Sequence, residues 1–214
     1  MRPLTWFDQT NQYGHFSTFQ KSGSVTAMGA GEEFASIRWT SSGAYLVLMR
    51  CRVGIAIVSA VTTTTIMDVS ATIVRGFTVD FTTASTAANM AAVQKTNRLR
   101  TDNMAQSLMG TAGPRISTTV IMTGATYTAD ANPFAGVILP MRVPTNATGT
   151  VVTLGAGDAT PMTTVYEWTA QGQHPVVLGS NEGILLRAVT AMPGSGTWSY
   201  YTEWTWAEVP MSAI

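Results

Sequence analysis

The side chains that could perform acid–base or nucleophilic chemistry are few and far apart in this chain. Its two histidines, His15 and His174, would have to supply any imidazole catalysis, and neither has an evident partner in the sequence. Its single cysteine, Cys51, lies in a run of alternating apolar residues, which favours a small buried side chain over a reactive thiol. The chain also has no G-x-S-x-G motif. We therefore expect a protein that is not an enzyme.

The acidic residues do not predict a metal or cofactor site. Glu32 and Glu33 are the only adjacent acidic pair, and a solvated turn or an ion pair with Arg38 explains them. No spacing matches a zinc site, a P-loop or an EF-hand, so we expect no cofactor and no metal. Isolated acids could still converge in space as a glycosidase pair or a calcium site; they are Asp68, Asp80, Asp130, Asp158, Glu167 and Glu182.

The low charge of the chain is the feature of its composition that most strongly indicates an assembly. The 214 residues include 12 Lys and Arg and 12 Asp and Glu, which is 11% charged with a net charge of +0, whereas an ordinary soluble domain has roughly 25%. A neutral chain lacks the electrostatic footprint of general nucleic-acid binding. No apolar run is long enough to span a membrane, and the first residues do not resemble a signal peptide. We expect much of the surface to be buried in an assembly.

One basic cluster could take part in such an assembly. Lys95, Arg98 and Arg100 lie close together, and on a helix Lys95 and Arg98 would share a face. The cluster is either a solvated helix surface or an electrostatic contact with an acidic neighbour, for which arginine is well suited.

Aromatic residues in the polar N-terminal stretch are a second candidate contact. The segment is rich in Gln, Ser, Gly and Thr and shows no sustained period, and its aromatic residues are Trp6, Phe7, Tyr13, Phe16 and Phe19. Exposed rings on a polar tail require a partner surface. Two alternatives remain open at this point: the arm lies on a partner, or it packs back on its own domain.

The last strand-like run carries the densest aromatic pattern. Trp198, Tyr200, Trp204 and Trp206 share one face of a strand with period two. These rings could fill the core of a sandwich, form a subunit interface, or provide a stacking platform for sugar.

The elements that must position these residues are mostly β-strands. From Phe34 onward, short runs rich in β-branched and aromatic residues, among them residues 45–59 and 197–209, are separated by Gly, Pro, Asn and Asp. This pattern predicts a sandwich or barrel. Residues 84–109 are rich in Ala, Met and Gln and predict one helix or two short ones. We therefore predict an extended N-terminal arm over residues 1–33 and a single all-β sandwich domain with a helical insertion over residues 34–214.

Several segments resemble a group of small virion structural proteins from tailed bacteriophages. They are residues 95–101 (KTNRLRT), 116–119 (ISTT), 125–134 (ATYTADANPF), 175–178 (PVVL), 181–187 (NEGILLR) and 203–209 (EWTWAEV). The resemblance implies a jelly-roll-like β-sandwich that forms a homotrimer and serves as a decoration or cement protein bound to the major capsid protein on the phage head. It also implies a place on the virion, with assembly in the host cytoplasm. From the composition we expect neither nucleic acid nor a membrane as a partner.

Two other functions are compatible with the same residues. A tail, baseplate or fibre-base adaptor of the virion would use the same fold and composition. A carbohydrate-binding or glycan-cleaving module would instead use Trp198, Trp204 or Trp206 to stack on sugar rings.

Overall fold

The computed structural model describes residues 14–59, 61–62, 67–87, 107–109, 113–139, 153–154, 159–169, 174–192 and 196–213. Within these residues the backbone forms β-strands and one short 3-10 helix at Met211–Ala213. The strands are β1 (Gly14–Lys21), β2 (Glu33–Trp39), β3 (Ala44–Ser59), β4 (Val61–Thr62), β5 (Met67–Val79), β6 (Ser85–Ala87), β7 (Arg115–Ser117), β8 (Thr126–Ala129), β9 (Ala135–Leu139), β10 (Thr153–Leu154), β11 (Thr163–Glu167), β12 (Val176–Leu178), β13 (Glu182–Ala188) and β14 (Thr197–Pro210).

Twelve of the strands form two antiparallel sheets with nested pairing, and β4 and β10 pair with each other as a separate two-stranded sheet. Sheet A has the order β1-β14-β3, with β11 and β12 on the far edge of β3, and sheet B has the order β6-β7-β2-β13-β5, with β8 and β9 on the far edge of β5. Thus β1 pairs with β14 in sheet A, β2 with β13 in sheet B, β3 with β11 and β12 in sheet A, and β5 with β8 and β9 in sheet B. This nesting across two sheets is the jelly-roll arrangement. The prediction of an all-β, jelly-roll-like sandwich is confirmed.

The core lies between the two sheets and combines large aromatic rings with aliphatic side chains. Alternation along β14 turns its indole rings inward, and the neighbouring β3 turns Leu48, Cys51 and Val53 to the same side. The rings of Phe34 in sheet B and Tyr200 in sheet A stack across the core with centroids 3.9 Å apart. Packing between the inner faces of two sheets is therefore the main hydrophobic contribution to folding.

A second, smaller core covers part of the outer face of sheet B. Phe77, Phe81 and Tyr127 meet there in edge and tilted ring contacts, packed with Val74, Met122 and Leu185. Gly183 provides the space, because a Cβ at this position would lie 2.6 Å from the ring of Phe77. Strict alternation along β5 would place Val74 and Phe77 on opposite faces of the strand, but both lie in this cluster. Gly76, with a φ of +58°, breaks the alternation between them.

The N-terminal stretch joins the domain from Gly14 onward. β1 pairs along its whole length with β14, from Gly14 opposite Glu208 to Lys21 opposite Tyr201. The next residues still bond to β14 through the N–H groups of Ser22 and Val25, while the N–H of Gly23 donates to the carbonyl of Ser117 in sheet B. For residues 14–33, the structure therefore shows the alternative in which this stretch packs on its own domain. The prediction of an extended arm is wrong for this part of the chain.

The predicted helical insertion over residues 84–109 is wrong where the structure describes it. Ser85–Ala87 forms β6, which pairs with β7, and residues 107–109 form a turn. A strand partner in sheet B satisfies the backbone of residues 85–87, and this tertiary pairing overrides their local helix propensity. Residues 88–106 lie outside the described residues.

Candidate functional site

The four aromatic residues predicted as assembly contacts on the last strand do not reach the surface. Trp198, Tyr200, Trp204 and Trp206 are each at most 1% exposed, because β14 turns them into the space between the sheets. Assembly contacts and sugar stacking by these rings are therefore wrong predictions, and the core alternative is correct. The other predicted contact residues lie outside the described residues: Trp6, Phe7, Tyr13, Lys95, Arg98 and Arg100.

The outer face of sheet A offers a surface of mixed chemistry. The outer face of sheet A consists of the side chains of β1, β14, β3 and β11 that point away from the core. The register between the strands arranges them in rows, so that Phe19 lies opposite Glu203, which lies opposite Arg52. In the next row, Thr205 lies opposite Arg50. The rows combine an exposed aromatic patch, a partly exposed ionic band and an apolar stripe that is buried.

The ionic band in the middle of this face is held by one carboxylate. Glu203 accepts from Arg50 Nη2 at 2.5 Å and from Arg52 Nη1 at 3.3 Å, and all three side chains are partly exposed. Arg52 Nη2 also donates to the carbonyl of Met162 at 3.0 Å. On the inner side of the same strands, burial raises the pKa of the Cys51 thiol, and the charge of Glu203 raises it further. Cys51 is therefore a packed, protonated side chain, as the sequence predicts.

The aromatic patch lies at the edge of the sheet, on β1 and β14. The rings of Phe19 and Tyr201 stack with centroids 5.9 Å apart, and Phe19 is 60% exposed. The ammonium of Lys21 lies 5.6 Å from the centroid of the Tyr201 ring, in cation–π distance. We call these three residues the Phe19 patch.

An apolar stripe lies at the opposite end of the same face. Val47, Ala207 and Val209 alternate with core residues on β3 and β14 and form a cluster separate from the main core, with Met49 packed against it. Each of the three is at most 5% exposed.

Most charges in the described residues are neutralised within the chain. Five of the six described arginines form ion pairs: Arg50 and Arg52 with Glu203, Arg75 with Asp130 and Glu182, Arg115 with Asp80, and Arg187 with Glu33. The sixth, Arg38, donates to the carbonyl of Thr78 and lies over the ring of Phe77. Such surface pairs add little stability, but they lower the number of free charges that the surface presents to solvent.

Where the structure describes the isolated acids of the sequence, most are engaged in hydrogen bonds or ion pairs; Asp158 lies outside the described residues. Among the described residues, no group of three or more His, Cys, Asp and Glu side chains is placed to hold a metal ion. The carboxylate of Asp68 accepts hydrogen bonds from the N–H and the hydroxyl of Thr190. Asp130 and Glu182 both form ion pairs with Arg75. In the same residues, no helix has the length and apolarity needed to cross a membrane.

Comparison with known proteins gives no assignment for this arrangement. No protein-family model matches the chain, and no curated protein matches it significantly.

The sequence marks Phe19 as one of the aromatic residues of the N-terminal segment, but it does not predict the contacts with Tyr201 and Lys21 that form the Phe19 patch. Phe16 and Phe19 are three residues apart, so a strand turns one ring inward and the other outward. Phe16 is fully buried against Trp206, whereas Phe19 is on the surface. Their odd spacing is the signal that could have indicated one core ring and one surface ring.

Proposed function

We propose that this chain is a non-enzymatic structural protein of a virus particle, a decoration or cement subunit on the head of a tailed bacteriophage. It forms homotrimers and bridges neighbouring copies of the major capsid protein. Its task is adhesion: it binds the assembled shell and stabilises that state by mass action.

The fold is compatible with a structural role. Jelly rolls occur in viral capsid domains, and also in lectins and cupins, so the fold alone does not select a function. Here the space between the sheets is filled by fully buried rings, including Trp39, Trp204 and Trp206. An interior packed in this way favours a rigid scaffold over a ligand-binding barrel.

The observation that carries the proposal is the state of the charges on the outer face of sheet A. Glu203 already neutralises Arg50 and Arg52 within the chain, while the neighbouring Phe19 leaves an aromatic ring in solvent. A surface with few free charges and an exposed ring is costly for an isolated subunit and favourable in a protein interface. The overall content of 11% charged residues supports the same conclusion.

Trimerisation is part of the proposal because an icosahedral head has local three-fold positions. Three linked copies make three equivalent contacts there, so that individually weak contacts sum to strong binding. Sedimentation of the purified full chain should show a trimer at micromolar concentration. A monomer at that concentration would contradict the trimeric subunit.

The function is tested on particles of the virus that encodes the chain, prepared with and without its gene. Heads that lack the protein should rupture at lower temperature, and addition of the purified protein should restore the rupture temperature. Addition of an unrelated globular protein of similar mass is the control. An unchanged rupture temperature in the deficient heads would defeat the cement function.

Imaging of particles that carry a C-terminal label on this chain separates the head from other positions. Label over the whole head supports a decoration protein. Label confined to the tail or baseplate would replace the proposal with an adaptor function.

A further inference from the structure

The Phe19 patch is an organised surface, because each of its three residues is held by another. The ring of Phe19 rests on that of Tyr201, and Lys21 lies over the same tyrosine ring. All three are on paired strands, with Lys21 directly opposite Tyr201 in the register. A partner would therefore meet rings whose positions are already fixed, which lowers the entropy lost on binding.

The surroundings of the patch have the composition of an interface core. Tyr201 lies opposite Gly54 on β3, where Met162 takes the space that a side chain would fill, its Sδ 3.0 Å from a Cβ built at position 54. Arg52 fixes this segment by donating to the carbonyl of Met162. Phe, Tyr, Met and Arg are the residue types enriched at the centres of protein interfaces.

The charge of the patch selects the kind of partner. Lys21 is exposed and, among the described residues, pairs with no carboxylate. The nearest carboxylate on this face, that of Glu203, is already shared by Arg50 and Arg52; Glu167 lies one strand further, opposite Arg50. The three cations and two carboxylates of this face leave one positive charge in excess, and Lys21 beside Phe19 is the cation without an ionic partner.

We infer that the Phe19 patch is the docking surface for a protein partner that presents a carboxylate next to an apolar socket. The ring of Phe19 enters the socket, and the ammonium of Lys21 pairs with the carboxylate. A sugar ligand fits less well, because the polar groups nearest the rings, on Arg52 and Glu203, are engaged with each other. This inference rests on the proposed function, in which the partner is the capsid shell, and it selects the side of the sandwich that faces the shell.

The test measures binding of the purified full chain to heads that lack it, by co-sedimentation over a range of protein concentrations and salt concentrations. Phe19→Ala should weaken binding by about tenfold or more. Lys21→Glu should weaken it by a similar factor and Lys21→Arg should preserve it. The wild-type affinity should fall with added salt more steeply than that of Lys21→Glu.

Ile138→Ala is the matched control, because Ile138 is 63% exposed on sheet B and belongs to the other face of the sandwich. It should bind like the wild type. If wild-type protein binds the heads and Phe19→Ala binds equally well, the docking surface is elsewhere and the inference is wrong. If Phe19→Ala weakens binding but Lys21→Glu does not, the carboxylate partner is wrong. If the wild type does not bind at all, the proposed function fails, and the inference fails with it.

A glycan array probed with the full chain distinguishes the remaining ligand class. Absence of binding supports a protein partner. Binding that disappears in Phe19→Ala would overturn the assignment to a protein and make the patch a sugar platform.

Discussion

The carboxylate of Glu208 accepts a hydrogen bond from the indole Nε1 of Trp206, 3.1 Å away, inside the sandwich. Glu208 is fully buried and also accepts from the N–H of Leu108 at 2.9 Å and from the hydroxyl of Ser107. One core carboxylate thus connects the last strand to the turn at residues 107–109. A buried charge is tolerated only when such donors surround it.

Replacement of Glu208 should therefore be among the most destabilising single changes. Glu208→Ala leaves buried donors without an acceptor, and we expect a loss of about 3 kcal/mol in the free energy of unfolding, measured by urea denaturation. Glu208→Gln, which keeps one acceptor oxygen, should lose less. Glu167→Ala is the control, because Glu167 is exposed. Equal stability of the Glu208→Ala and Glu167→Ala variants would contradict this account.

The stack of Phe34 on Tyr200 makes a second prediction, because it joins the two sheets through the core. Phe34→Ala removes a fully buried ring and should cost about 3 to 5 kcal/mol. Phe19→Ala removes the same side chain from the surface and should change stability by less than about 1 kcal/mol. Thermal or urea unfolding of both variants checks the difference. A large loss in Phe19→Ala would show that Phe19 belongs to the folding core.

Most of the strands could be predicted from the sequence because their alternation is local. The runs at residues 45–59 and 197–209 match β3 and β14 to within one residue at each end. β1 was missed because Phe16 and Phe19 face opposite sides, so the strand has no one-sided apolar pattern. β6 was missed because pairing with β7 decides its structure, and the partner lies outside the local window.

The candidate site could be predicted less well than the fold. The aromatic face of β14 was recognised, but period two does not tell which face of a strand is covered by a second sheet. The Phe19 patch joins β1 to β14 from opposite ends of the chain, and only the register brings Lys21 over Tyr201. Such long-range pairing has no signature in the composition or spacing.

The close contact between Gly23 and the chain at Thr118 makes a third prediction. A Cβ at this position would lie 1.5 Å from the carbonyl oxygen of Thr118, so Gly23→Ala forces the two segments apart. We expect a loss of more than about 3 kcal/mol, or failure to fold. Gly43→Ala is the matched control, because nothing lies within 4 Å of its Cβ position. Urea denaturation followed by circular dichroism compares the two variants. Similar stability of both would mean that the backbone at Gly23 and Thr118 can move apart without loss of stability.

Three tyrosines make the last prediction, which concerns alkaline pH: Tyr200 is buried, and Tyr127 and Tyr166 are partly buried. Burial raises the pKa of Tyr127, and so do its hydrogen bond to Glu33 and the charge of that carboxylate; burial also raises the pKa of Tyr166 and Tyr200. The folded chain therefore keeps these protons above pH 10, where an unfolded chain loses them.

Because the unfolded state then binds fewer protons than the folded state, the contribution of these tyrosines to stability is fully present below about pH 10 and is lost as the pH rises further. Cys51 adds a decline of the same sign from its ordinary pKa of about 8.5 upward. Tyr127→Phe should lose about 1 kcal/mol at pH 7 with its hydrogen bond, yet its stability should fall less steeply above pH 10 than that of the wild type. Urea denaturation at pH 7, 9 and 11 measures both effects. Parallel pH profiles for the two proteins would show that the proton on Tyr127 does not contribute to the alkaline loss of stability.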